Sequence, residues 1–225
     1  MEINVAQVFV NKKGEFGNPV GIVIDERNEF DELTRQQAAT KLNFSETVFI
    51  DSLGEIPEVS IFNPQHKVKF AGHAVLGTAF FIRESLGKEL TSIKCGSEQV
   101  KVKSVDGVIY VDAPLSIMPA WKYQQLESPK LVEELTKDKI SLFEHTFVWA
   151  WEDELKGLIR ARTFAPDWGI PEDQANGSGS MKLAAQLNRD LIITHGMGSV
   201  IYARPTGSER AEVGGLVKIQ EKYNL

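Results

Sequence analysis

Thiols, basic charge and long apolar runs are what this 225-residue chain has least of. Its one cysteine, Cys95, has no second thiol to pair with, so an internal disulfide framework is excluded and a cytoplasmic setting is expected. Lysines and arginines number 25 against 31 aspartates and glutamates, a formal net charge of -6. That balance lacks the basic face a nucleic acid or an anionic membrane surface requires. No apolar run approaches membrane-spanning length, and no basic segment leads into an apolar one at the start. Low-complexity stretches are also missing. What remains is ordinary for a globular protein: 42% hydrophobic and 25% charged residues, enough chain for one large domain or two small halves.

Short β-rich runs alternate with a few helical stretches. Residues 3–10, 20–25, 46–50, 58–62, 91–95, 98–104 and 107–112 have strand composition, and turn-like residues separate them. Residues 31–43 read as a helix capped by Asp31 or Thr34, with Leu33, Gln37, Ala38 and Leu42 on one face. Residues 73–86 form a second helix that Gly87 would stop. "APLSIMPAWKYQQLESP" (113–129) has no clear periodicity and marks a boundary. After it come a short helix near 129–137, strands at 145–151 and 157–164, a helix over 178–188, and strands at 190–196, 199–205 and 211–225.

The halves echo one another. "IFNP" (61–64) leads to "KFAGHAVLGTA" (69–79), and "TFAP" (163–166) leads to "EDQANGSGSMKLAAQL" (172–187). Each unit is a strand ending Phe-X-Pro, a loop, a glycine at a helix start and an apolar helix. The first of these helices is apolar nearly all round, as a helix sheathed by strands should be. If the two starts face each other across a cleft, the free N–H groups of Gly72-His73 and Gly177-Ser178 converge on one point. Unpaired amides and a positive dipole end attract anions. A small carboxylate-bearing molecule is then the natural guest, and nothing in the pattern calls for a metal or a nucleotide.

In order and spacing, "GNPVGIV" (17–23), "SETVFI" (45–50), "FNPQHKVKFAGHAVLGTA" (62–79), "FAPDWGIPEDQANGSG" (164–179) and "EVGGLVKIQ" (212–220) resemble the phenazine-biosynthesis isomerase-like (PhzF-like) family. That family shares its fold with diaminopimelate epimerase. The resemblance implies an α+β fold of two pseudo-symmetric halves, each a curled sheet or barrel around a central helix. The expected division is 1–115, joined by the C-terminal strand at about 211–225, and 116–210. It also implies a cofactor-independent isomerase, commonly a homodimer, with its site in the cleft. The family's characterised activity moves a proton between carbons of a dihydro-hydroxy-anthranilate. Glu46 matches the family's general acid/base. His73 and Asp173 match the two other polar groups lining its substrate pocket.

Read as residues alone, each of these has a plainer alternative. Glu46 could be a surface residue at a strand start, His73 a core histidine, and Asp173 the N-cap of the following helix. Asn18 lines the pocket or shapes a turn. His195 and Gly196 stand where the family often has Gln-Gly, so His195 is a candidate substrate contact. Trp149, Trp151 and Trp168 could form an aromatic wall, but packing in a core or a dimer interface is the plainer reading. Arg160 and Arg162 alternate on a strand and either pair with a second carboxylate or, as is more common for such a pattern, face solvent.

The chain departs from the family at its periphery. Lys67 stands where an acidic residue is usual, and Gln174 and Asn176 replace the usual Pro and Thr. The substrate is therefore not carried over. Two other readings stay open: an amino- or hydroxy-acid epimerase or racemase, and a non-catalytic small-molecule binder. A two-cysteine racemase is excluded by count.

Overall fold

A computed structural model describes residues 1–136, 139, 143–220 and 222–225. The strands are β1 (Glu2–Val10), β2 (Asn18–Ile24), β3 (Glu46–Ser52), β4 (Glu58–Phe62), β5 (Lys67–Val68), β6 (Ser92–Cys95), β7 (Glu98–Val105) and β8 (Val108–Pro114). After a 3-10 turn at Leu115–Ile117 come β9 (Lys122–Gln125), β10 (Thr146–Asp153), β11 (Leu158–Ala165), β12 (Ile170–Asp173), β13 (Leu191–His195), β14 (Ser199–Gly207), β15 (Arg210–Ile219) and β16 (Tyr223–Asn224). The helices fully within the described residues are α1 (Glu32–Leu42), α2 (Gly72–Leu86), α3 (Pro129–Glu133) and α4 (Gly177–Leu187).

The chain runs through one topological plan twice. In the first half β2-α1-β3-β4-β5-α2-β6-β7-β8 is followed; in the second, β9-α3-β10-β11-β12-α4-β13-β14-β15. The pairings repeat as well. β2–β3 and β9–β10 are parallel, β3–β4 and β10–β11 antiparallel, β4–β6 and β11–β13 parallel. In the first half β1 and β15 close a ring, β1-β2-β3-β4-β6-β7-β8-β15, because β15 pairs β8 over Arg210–Gly215 and then β1 over Leu216–Ile219. The same strand pairs β14, so β15 is the joint between the halves. This is the α+β fold with a curled sheet around each central helix.

α2 threads the closed ring, and every residue from Gly72 to Ala79 is buried. Such a helix cannot be amphipathic, which accounts for its apolar run. Gly77 permits the close approach of the wall: a Cβ there would lie 2.6 Å from Val20 Cγ1 and 2.8 Å from Val8 Cγ2. Gly87, at φ 65, ends the helix.

Several local expectations change. Asp31, not Thr34, caps α1, accepting from the Thr34 N–H at 2.8 Å. The buried face of α1 is Arg35, Ala38 and Ala39, while Leu33 is 66% exposed. Arg35 turns inward because its guanidinium reaches Asp25 at 2.7 Å and Asp51 at 2.6 Å, so the charge is buried as a paired group. The segment read as an aperiodic boundary contains β9. The short strands β5 and β12 had no sequence signal. The last strand breaks at Ile219 before β16 resumes; residue 221 there, and residue 137 at the end of the helix expected near 129–137, lie outside the described residues.

Candidate active site

α2 and α4 begin beside one another. A Cβ on Gly177 would stand 3.6 Å from the His73 backbone nitrogen and 3.4 Å from Phe9 Cζ. Phe9 has a left-handed backbone, φ 66, at a β-bulge between Val8 and Val10. That bulge re-aims its buried ring against the start of α4, at Gly177. The N-cap of α2 is Ala71, which has no side-chain acceptor to offer the first-turn amides. The N-cap of α4 is Asn176, not Asp173, and its Oδ1 takes the Gly179 N–H at 2.7 Å.

Above these starts lies a cavity of about 560 Å³ whose walls include Glu46, Gly72, His73, Asp173, Gly177 and Ser178. Glu46 is the first residue of β3, held in register opposite Val20 of β2. Only 17% of its side chain is exposed, and burial, reinforced by the charge of Asp173, pushes its carboxyl up to about 8. Burial likewise raises Asp173 to about 6, against the pull of the Ala175 N–H and the Asn18 amide. His73 is lowered to about 4 by burial, so its ring is neutral. Its Nε2 lies 3.0 Å from Glu46 Oε2. The contact is short but poorly angled, and neither atom has a well-formed hydrogen bond among the described residues. Both therefore keep bonding capacity for a third group.

Asn18 and His195 stand behind the wall rather than in it. Asn18 donates to Asp173 Oδ1 at 2.9 Å and to Ala175 O at 3.3 Å, and accepts from Ser45 Oγ at 3.2 Å. It ties the neighbour of Glu46 to Asp173 across the two halves. His195 is fully buried between Thr163 Oγ1, at 2.9 Å, and Gln174 O, at 3.2 Å. It supports the loop between Asp173 and Asn176 and is held neutral, near 3. Arg160 and Arg162 are not a solvated stripe. Arg160 is buried against the Ala161, Thr194 and Gly196 carbonyls. Arg162 forks onto Glu172 at 2.7 and 2.8 Å and so anchors β12, which delivers Asp173.

Of the three tryptophans singled out in the sequence, only Trp168 reaches the cavity. Trp149 and Trp151 pack on each other, with ring centroids 5.0 Å apart, away from the cavity. Trp168 does line it, and its partner is Trp121 at 4.9 Å. The His145 ring stacks on Trp168 at 4.6 Å, fixed by Asp167 at 2.7 Å. Trp121 gave no signal because it sits in the aperiodic stretch before β9. Lys67 and Lys69 stand at the mouth, and Lys67 pairs with Glu32 at 3.7 Å.

These buried groups shape the pH dependence of stability. His73 and His195, lowered from 6.5, contribute stability that is lost as pH falls from 6.5 towards 4. Glu46 and Asp173, raised from 4.5 and 3.8, weaken the fold as pH rises towards about 8 and about 6. Between those limits the two effects oppose each other. Thermal melting monitored by circular dichroism should therefore peak between about pH 6 and 7, with a decline up to pH 8. A melting temperature that climbs steadily to pH 8.5 contradicts the assignment of these four groups.

Comparison with known proteins gives a consistent picture. The family model described as "Phenazine biosynthesis-like protein" matches residues 7–151. An uncharacterized isomerase of Mesorhizobium japonicum is 30% identical over 111 residues, covering 46% of this chain and 36% of that protein. The trans-2,3-dihydro-3-hydroxyanthranilate isomerase of Pseudomonas aeruginosa is 25% identical over 220 residues, covering 80% of this chain and 77% of its own. The crystal structure of a PhzF-family phenazine biosynthesis protein from Enterococcus faecalis superposes with a TM-score of 0.79 at 20% identity, covering 98% of this chain and 97% of that one. The motifs, the repeated topology and a model match running through more than half of the sequence lead to one assignment: the chain belongs to the phenazine biosynthesis-like (PhzC-PhzF) family, among whose relatives are proteins named as isomerases.

Proposed function

We propose that the protein is a cofactor-independent isomerase that moves a proton between carbons of a small carboxylate-bearing metabolite. The observation that carries this reading is the Glu46 carboxyl, buried at the cleft between two helix starts and pushed up to about 8. In its ionised form Glu46 removes a proton from a carbon conjugated with the substrate carboxylate. The C–H electron pair passes into the conjugated system as enolate-type charge. Amides at the starts of α2 and α4 stabilise that charge, a contribution often worth about 3 kcal/mol per donor. Protonated Glu46 then returns the proton to a second carbon, and the electrons close a new double-bond arrangement. Atoms and charge balance without any other reactant.

His73 positions rather than carries the proton, since a ring held near 4 is a poor acceptor for a proton that Glu46 keeps up to about 8. Asp173 shapes the field and contacts substrate, and the N–H groups of Gly72, Gly177 and Ser178 face its carboxylate. The same reading takes the protein as a cytoplasmic homodimer, divided near residues 115 and 210.

The epimerase alternative draws on the two carboxyls, raised to about 8 and about 6 and lining one cavity. Between those values Asp173 is ionised while Glu46 is protonated, which suits inversion by one base and one acid. The pH profile separates the readings. A single Glu46 base predicts kcat/KM rising about tenfold per pH unit below about 8 and then levelling. A bell between about 6 and 8 favours the two-carboxyl epimerase and overturns the single-base reading.

A further inference from the structure

Asn176 occupies the N-cap of α4, is 2% exposed, and contributes to the cavity wall. Its two side-chain ends fare differently. Oδ1 accepts from the Gly179 N–H at 2.7 Å and from the Ser178 hydroxyl at 3.3 Å. Nδ2 is buried with no hydrogen-bond partner among the described residues. An orphaned amide nitrogen normally invites exchanging the nitrogen and oxygen of the amide. Here the neighbouring groups forbid the exchange. The indole of Trp121 is a donor only, and its Nε1 meets Ser178 Oγ at 3.0 Å. Ser178 Oγ must accept from it, which leaves the hydroxyl proton to donate. Asn176 therefore has to present an oxygen to both Ser178 and the Gly179 N–H, and its NH2 group is the end left over.

The geometry points to Asn176 as a substrate-recognition residue: its Nδ2 donates to the carboxylate of the bound molecule, and Trp121, through Ser178, fixes the amide in the orientation that allows it. This inference rests on the proposed carboxylate substrate and deepens it. The side-chain N–H pair joins the free main-chain amides at the two helix starts, so a planar carboxylate meets donors from backbone and side chain together. The Ser178 hydroxyl is committed to the relay, so Ser178 addresses the substrate through its main-chain N–H alone. Trp121 has two tasks, one face for the wall with Trp168 and one N–H for the relay. A burial cost of order 1–3 kcal/mol for an unpaired polar group gives a reason for such a nitrogen to be retained only where a ligand satisfies it.

The test uses benzoate as probe and benzamide as its uncharged control, with binding read from Trp121 and Trp168 fluorescence and confirmed by calorimetry. Asn176→Asp keeps the cap, because a carboxylate oxygen accepts the Gly179 N–H as well as an amide oxygen does. It replaces the donor with a second anionic oxygen. The expected result is a benzoate Kd raised ~100-fold or more with a melting temperature close to wild type. Asn176→Ser also keeps a capping oxygen and removes the amide NH2, its one hydroxyl being too short to reach the same point, with an expected loss of ~10-fold or more; it carries the test if the Asp variant does not fold. Trp121→Phe keeps a ring in the wall, frees the Ser178 hydroxyl and should raise Kd ~3- to 10-fold. That effect should vanish in an Asn176→Ser background, as a purely structural role for Trp121 would not.

Benzoate binding by Asn176→Asp within twofold of wild type overturns the inference. So does wild type that binds benzoate no better than benzamide, or a Trp121→Phe effect that persists unchanged beside Asn176→Ser. These outcomes separate from the isomerase reading. Glu46-dependent chemistry with a normal Kd in Asn176→Asp would sink this inference alone, and Asn176-dependent binding without that chemistry would sink the other.

Discussion

Glu46→Gln is expected to lose turnover by about 10²- to 10⁴-fold while becoming a more stable protein at pH 8. The two effects have one cause. A carboxyl raised from 4.5 to about 8 must take up a proton on folding at neutral pH or sit charged in a buried site. Each unit of that rise weakens the fold by about 1.4 kcal/mol once the pH exceeds both values. Since 17% of the side chain still faces the cleft, the expected gain for the neutral amide is about 2–4 kcal/mol at pH 8. Below pH 4.5 the acid is protonated in both states, so variant and wild type should converge. Urea unfolding at pH 5 and pH 8 reads the difference. Equal stability of the two proteins at both values would show that Glu46 is not held in a strained, functional setting.

The second large effect belongs to Phe9→Ala, which should cost about 3–5 kcal/mol, the usual range for truncating a buried aromatic side chain. Phe9 is fully buried, and its ring fills the space denied to side chains at two glycines. A Cβ would approach the ring to 3.4 Å at Gly177 and 2.4 Å at Gly215. Its left-handed backbone, φ 66, gives alanine no conformational relief. Because the ring packs against Gly177 at the start of α4, benzoate affinity should fall with stability. Unfolding in urea with an unchanged m-value and a midpoint shifted to match would support this. A loss below about 1 kcal/mol would mean the bulge relaxes and that Phe9 does not brace the cleft.

The parts of this molecule that sequence reveals are those whose environment is uniform along the chain. α2 is legible because burial on every side leaves a continuous apolar run, and its stop because Gly87 takes a positive φ. The strand-loop-helix echo of residues 61–79 and 163–187 is legible for the same reason: both units solve one packing problem. Glu46, His73 and Asp173 could be singled out from their motifs, although only the fold brings them to one cavity. What is illegible depends on partners distant in sequence. Arg35 looks like a solvent-facing residue until Asp25 and Asp51 are placed beside it. Asn18 reads as a pocket-lining or turn residue, yet it stands behind the wall and its amide holds Asp173, 155 positions further on. Trp121 lines the cavity from a stretch without periodicity, and β5 and β12 are too short to establish a pattern. Asn176 was visible only as a departure from the usual Thr, with no means of telling which end of its amide was free.

The proposed reaction requires Glu46 to move a proton on and off carbon. It is tested most directly by incubating the protein in heavy water with a panel of cyclic and acyclic carboxylates and following C–H signals by NMR, with Glu46→Gln alongside. Wild type should lose a C–H signal from at least one panel member, and Glu46→Gln should retain it even where that variant still binds the compound. Exchange that continues undiminished in Glu46→Gln, or wild-type binding with no exchange at any pH between 6 and 9, would contradict it.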